Sequence, residues 1–309
     1  MSEGERDYRM FSLGRIAALT MHTFTQMVRM RVFYFLLIFS VAVIAIAFVI
    51  PSFEAEQQLK ILKDVSLGAM SLFSTLFAIA GTALLIPKDM EDRTLYTILS
   101  KPVPRYEYLL GKLFGMLTLI LVSMLMMDGL FCGVLALRQK MLTQDKREFY
   151  DEMAVAIPEV WGTESKQAER NEAVESIARY GLKWDLQTAV WAIFLKAAVM
   201  TALTLAVSTF ATSTLFTIIS AIALYIIGLG QHIGREYFLG GEDVSGVMRA
   251  LTGVFAVIFP DFHLFDIVDA VVTGEIVPAS LVWKLTGITA MYLIVYSAIA
   301  SLVFSNKEL

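Results

Sequence analysis

Six stretches of this chain, at about 32–50, 67–87, 109–137, 189–211, 214–231 and 281–304, are apolar over the roughly 20 residues that a bilayer core requires. Inside lipid every backbone N–H and C=O must find a partner within the protein, so each stretch is restricted to a helix. The third is longer and is expected to tilt or to project beyond the membrane. With 57% of 309 residues hydrophobic, 17% charged and a mean hydropathy of +0.66, a soluble domain could not solvate this composition. The sequence reads as an all-α polytopic membrane protein.

Lysine and arginine set the orientation, because cytoplasmic loops keep an excess of them. Five lie in the N-terminal segment (Arg6, Arg9, Arg15, Arg29, Arg31), and five run from the end of span two into span three (Lys88, Arg93, Lys101, Arg105, Lys112). The loop after span one holds only Lys60 and Lys63, and the one before span six only Arg235 and Arg249. Both termini and the 88–112 loop are therefore expected to be cytoplasmic, in a multi-pass protein of the cell's inner (plasma) membrane. The 138–188 loop carries eight basic and ten acidic residues, but a long loop crosses largely regardless of charge. The charged N-terminus and the lack of a small-residue cleavage site after the first apolar run predict an anchor rather than a cleaved signal.

Before that first span, Leu13, Ile16, Ala17, Thr20, Phe24, Met27 and Val28 recur at helical spacing, with Arg15, His22, Gln26 and Arg29 on the other side. The pattern predicts an amphipathic helix in the membrane interface, with Arg15, Phe24, Arg29 and Arg31 at headgroup level.

Apart from the N-terminus, the longest polar interruption on the cytoplasmic side is Pro87–Gly115. Lys88–Arg93 is charged on nearly every residue; then Leu95, Ile98 and Leu99 recur at one-turn spacing until Pro102 and Pro104 stop the helix. One apolar stripe between charged flanks, beside a membrane, suits docking of a soluble partner. Within it, Glu91, Thr94 and Leu95, then Leu99, Ser100, Pro102, Val103, Arg105, Glu107, Leu109, Leu110, Gly111 and Lys112, match in register the first cytoplasmic loop of ABC-2 type transporter permeases. Arg93 departs from the glycine usual there. On these residues the chain resembles that family, in particular the permeases of the multicopper-enzyme-maturation and gliding type.

The resemblance implies six transmembrane helices of ABC-2 (type V exporter-like) architecture, an N-terminal interfacial helix, and a coupling helix seated in a cytoplasmic ATPase subunit. Glu91, Thr94, Leu95, Ile98, Leu99, Pro102 and Arg105 would then be the ATPase-coupling residues. A second permease chain, identical or paralogous, would complete the pathway. ATP and magnesium would be bound by the partner, this chain having no cofactor of its own. Membrane lipid is the other expected partner, and no nucleic acid is expected.

The order of segments is then an N-terminal stretch, 1–31; spans one to three in 32–137, with the coupling loop 88–108; an extracytoplasmic loop 138–188; spans four and five in 189–231; an outer segment 232–280; and span six with a tail, 281–309. Loop 138–188 reads as two helices. Leu142, Phe149, Met153 and Ile157 line the first, which Pro158 stops, and Val174, Ile177 and Trp184 line the second. This outer helical hairpin would be a substrate, lid or partner element, or a plain solubilising one. Thr212-Ser213-Thr214 predicts a tight inner turn, and the apolar run Val247–Phe259 is too short to cross, hence re-entrant or interfacial.

Nothing in the sequence assembles a catalytic set. There is no G-x-x-x-x-G-K-[ST] phosphate loop, so ATP hydrolysis is expected elsewhere. Cys132 is the only cysteine, which excludes an internal disulfide or a thiolate cluster. His263, Asp266 and Asp269, at i, i+3 and i+6, line one helix face without a completing ligand, so no metal site is expected. Met124, Met126 and Met127 do not gather on one face. Two intramembrane charges, Asp128 in span three and Lys196 in span four, reach similar depth from the outer side. They would pair or line a polar path; alternatively Lys196 snorkels outward and Asp128 faces outer water. Lys112 and Lys284, near span ends, are expected to snorkel.

Overall fold

A computed structural model describes residues 12–49, 55–91, 104–161, 163–211, 213–240 and 259–305. Among these the chain is all-helical, without a strand. In order come α1 (Leu13–Val28), α2 (Arg31–Val49), α3 (Ala55–Glu91), α4 (Arg105–Ala156), α5 (Pro158–Trp161), α6 (Glu164–Arg179), α7 (Asp185–Phe210) and α8 (Thr214–Gly240). A 3₁₀ turn (Phe262–Phe265), α9 (Val268–Thr273) and α10 (Ala279–Ser305) complete them. Five helices, α3, α4, α7, α8 and α10, are each long and apolar enough to cross a membrane. Counted as one broken span bent by 68°, α1 and α2 make a sixth. By length and composition this set of helices is that of a multi-pass helical membrane protein.

α7 is the central helix. Its apolar residues go all the way round, as burial on every side demands, and 83% of its most apolar window is buried against 22% and 28% for α8 and α10. It packs chiefly on α3 and α10, while α2 lies on α3 and α1 runs along α4. Phe33 of α2 meets Phe73 of α3 edge-on and Phe77 at a tilt, at centroid distances of 6.3 and 5.3 Å. α8 and α10 leave Ile219, Ile226, Ile294 and Leu302 exposed, an apolar surface that lipid can cover.

α4 is a single helix of 52 residues. The sequence reading separates span three from the first helix of an outer hairpin, but no glycine or proline stands between Gly133 and Pro158, so nothing interrupts the ladder. α6 folds back on this extension. Of the residues expected to line the hairpin, Leu142 and Ile177 are buried, whereas Phe149, Ile157 and Trp184 are exposed. Phe149 and Tyr150 instead close the tip against Trp161. α7 and α8 are joined by a tight turn in which the Ser213 hydroxyl accepts from Phe216 N–H, an N-cap. α9 ends at Gly274, whose φ of 87° lies in the left-handed region that glycine occupies without strain.

His263, Asp266 and Asp269 do not share a helix face. His263 is in the 3₁₀ turn, Asp266 follows it, and Asp269 begins α9. The Asp261 side chain caps the turn through His263 N–H, and the His263 ring stacks on His232 at 4.1 Å. Among the described residues no group of three or more His, Cys, Asp or Glu side chains could hold a metal ion. The run Val247–Phe259 lies outside the described residues except for Phe259.

Candidate functional site: a polar latch at the root of the 92–103 loop

The loop that carries about half of the sequence motif leaves α3 and ends at Pro104. Thr94, Leu95, Ile98, Leu99 and Pro102 lie outside the described residues, and Glu91 is the last residue of α3. What the structure describes is the loop's root.

Pro104 occupies the N-cap of α4 with extended backbone (φ −61°, ψ 139°) and has no N–H to offer. Glu107 at the third helical position, which in a capping box would reach back to that N–H, turns instead to α1. Its carboxylate accepts from Arg15 Nε at 2.7 Å, Arg15 Nη2 at 2.9 Å and the Ser12 N–H at 3.0 Å. It also sits in the first turn of α4, where the helix dipole favours negative charge. Glu107 stands at the polar end of α4, before the apolar span. The hydrogen bonds from Arg15 hold its carboxyl below the usual carboxylate range, against the opposing effect of burial, and the Ser12 N–H adds to them.

One turn further on, Lys112 is buried rather than snorkelling. Its ammonium lies 2.6 Å from Asp89 Oδ2 on α3, with both side chains 1% exposed. The ring of contacts closes on itself. Tyr108 donates its hydroxyl to Asp89 Oδ2 at 2.6 Å; Gln26 of α1 donates to Asp89 Oδ1 at 3.1 Å and accepts from Lys112 at 3.0 Å. A buried ion pair recovers its desolvation cost only with such additional hydrogen bonds. The snorkelling expectation fails because α1 covers the lysine and supplies one of its acceptors.

Arg105 attaches a fourth helix. Its guanidinium donates to the carbonyls of Phe304 at 2.7 Å and Ser305 at 2.9 Å, capping the C-terminus of α10, and Phe304 stacks on Tyr108 at 5.9 Å. Arg105, Glu107 and Lys112, all motif residues, thus bind α10, α1 and α3.

Close approach makes this possible. Gly111 and Gly115 present a bare strip of α4 to α1, a small-xxx-small spacing. A Cβ on Gly115 would stand 2.5 Å from Thr23 Cβ and 2.8 Å from the Thr20 carbonyl, and one on Gly111 would collide with Leu19 Cβ. Consequently the buried side of α1 is that of Ile16, Thr23 and Met27, rotated from the expected apolar face; Leu13 is exposed. Of the expected interfacial set, Arg15 is paired, Phe24 is half-buried against the core, and Arg29 and Arg31 are exposed.

The intramembrane pair does not form. Asp128 Oδ1 accepts from Gln187 Nε2 of α7 at 3.3 Å and from the Cys132 thiol at 3.5 Å, while Lys196 Nζ lies over the Tyr225 ring at 5.6 Å. Lys196 is nine residues beyond Gln187, and at 100° per residue that turns it to the opposite side of α7. Sequence reasoning missed Gln26, Asp89 and Tyr108. A polar residue facing a lysine across two apolar helices is visible only once their faces are known.

Comparison with family sequence models and with curated proteins returned no match for this chain.

Proposed function

We propose that the chain is the transmembrane permease subunit of an ABC-2 type ATP-binding-cassette transporter, an exporter. As a homo- or heterodimer it would form the pathway and couple through residues 88–107 to separate cytoplasmic ATPase subunits, which bind ATP and magnesium. The observation that carries the reading is the latch. A loop with the docking pattern is rooted in buried contacts to four helices, so force on the loop reaches α1, α3, α4 and α10 together. Arg105 then belongs to the root rather than to the ATPase contact, and docking falls to Leu95, Ile98 and Leu99. Rigid-body rocking of the latched helices would alternate access to the pathway.

Co-purification in detergent with the ATPase encoded beside the chain tests this. Wild type is expected to retain it, and Leu95→Asp/Ile98→Asp to lose it while still eluting as a folded protein. Absence of any ATPase from the wild-type preparation would remove the reading's main support.

One observation favours a second reading, ATPase-coupled mechanotransmission without translocation. α4 runs unbroken from latch to hairpin, about 78 Å at 1.5 Å per residue, the form of a lever. Solute movement in vesicles carrying the complex decides for export; ATPase activity that responds only to changes in the hairpin decides for the lever.

A further inference from the structure

At the hairpin end, the start of α7 and the adjoining face of α4 line an open cavity of about 520 Å³, bounded by Asp128, Cys132, Leu182, Lys183, Trp184 and Gln187. Its volume is in the range of small-ligand sites. Asp128 is 8% exposed, and its described partners are an amide and a thiol, both neutral. A carboxylate so placed is costly until a cation reaches it. On the other side of Lys183 the arrangement is mirrored in sign. Lys63 of α3 is 3% exposed, has no ion pair among the described residues, and lies close enough to Lys183 and Asp185 to feel both charges. The cavity therefore holds a carboxylate whose described partners are neutral and, in its lining, the exposed ammonium of Lys183, with Lys63 nearby.

The depth of the cavity narrows the ligand. Asp128 stands about 35 Å along α4 from Arg105, beyond the roughly 30 Å of a hydrocarbon core. Trp184 and Trp283, the latter on the first turns of α10, are exposed, and Trp191 donates to Thr286 between α7 and α10. Tryptophans spread over about 10 Å at one end of the helices mark the headgroup region. A lone cation would be repelled by Lys183 and Lys63, and a lone anion by Asp128. The apolar wall, Leu182 and Trp184, suits acyl or glycerol carbons.

We propose that this cavity binds a zwitterion carrying a primary ammonium and a phosphate, the headgroup chemistry of an aminophospholipid, with the ammonium on Asp128 and the phosphate on Lys183. A primary ammonium fits better than a quaternary one, because Asp128 needs a donor and Trp184 is the only aromatic wall for a cation–π cage. The site depends on membrane insertion but not on the transporter reading, and ATPase co-purification leaves it untouched.

The test is native mass spectrometry of the full chain, delipidated and titrated with phosphatidylethanolamine, phosphatidylcholine or phosphatidylglycerol. Wild type is expected to retain the ethanolamine lipid about tenfold over the other two. Asp128→Asn is expected to abolish that order, and Lys183→Gln to weaken retention of the ethanolamine lipid. Equal retention of the three lipids by wild type overturns the proposal without any variant, as does an order unchanged in Asp128→Asn. Glycerophosphoethanolamine distinguishes the source: competition at concentrations equal to the lipid supports a soluble zwitterion, and lipid-only binding supports a bilayer ligand.

Discussion

Asp89, at the loop end of α3, takes a lysine, a tyrosine and a glutamine; Asp128, toward the hairpin end of α4, takes an amide and a thiol. Both carboxylates are buried among apolar helices, yet among the described residues only the first has its charge balanced. A closed, fully bonded network holds one arrangement of helices, which suits a root that must transmit displacement. A buried charge with neutral partners suits a place where something else arrives. The same residue type is thus a clamp at one end and the proposed receptor at the other, and the difference lies in whether a neighbouring helix supplies the counter-charge.

The comparison breaks most visibly at Lys112. Lys112→Met leaves Asp89 buried and uncompensated, and about 3–5 kcal/mol of stability is expected to be lost. The readout is the melting temperature of the detergent-solubilised chain, followed by size-exclusion. Asp89→Leu/Lys112→Met should recover much of that loss, because removing both charges also removes both desolvation costs. A double variant as unstable as the single one would mean that the polar ring, not the charge balance, holds the latch. Next comes Gly115→Ala, whose new Cβ meets Thr23 and the Thr20 carbonyl; overpacking of about 1–3 kcal/mol is expected, with faster proteolysis of α1.

At the other end the same kind of change should do little. Asp128→Asn in delipidated protein is expected to cost no stability and to raise it if anything, since the amide keeps the shape, removes a buried charge with no counter-ion and orphans no partner ion. A loss as large as that at Lys112 would show that Asp128 is already compensated and would erase the contrast. The smallest effect concerns pH. The folded pKa of Glu107 lies below its unfolded value, so the stability from Arg15 is fully present above the ordinary carboxylate pKa of about 4.3 and is lost as pH falls through the depressed one. The melting-temperature gap between wild type and Arg15→Gln should therefore narrow in that acid window.

Much of the architecture was legible in the chain. Over the described residues each of the six apolar stretches falls on a helix, apart from Ala211 at the end of the fourth, because length and hydropathy act locally and lipid leaves the backbone no other choice. The tight turn at Ser213 follows from its hydroxyl. What was misjudged depends on which face meets which helix. Lys112 read as a snorkelling residue because its depth is visible in sequence and its cover by α1 is not. Asp128 and Lys196 share a depth, but their rotation about α7 separates them. The break assigned between span three and the hairpin had no glycine or proline to make it, and α4 ran on.

By itself, then, the sequence determined that the chain is helical and that several of its helices are long and apolar enough to cross a membrane, and it set the residue pattern of the 92–103 loop. Only the tertiary structure decided that Arg105, Glu107 and Lys112 are the anchors of that loop, and that Asp128 faces a cavity instead of a lysine. The physical reason is one of range. Hydrophobic periodicity and helix capping are settled within a few residues, whereas a buried charge finds its partner across helices about 20 to 90 positions away in the chain, as Asp89 finds Lys112 and Arg15 finds Glu107.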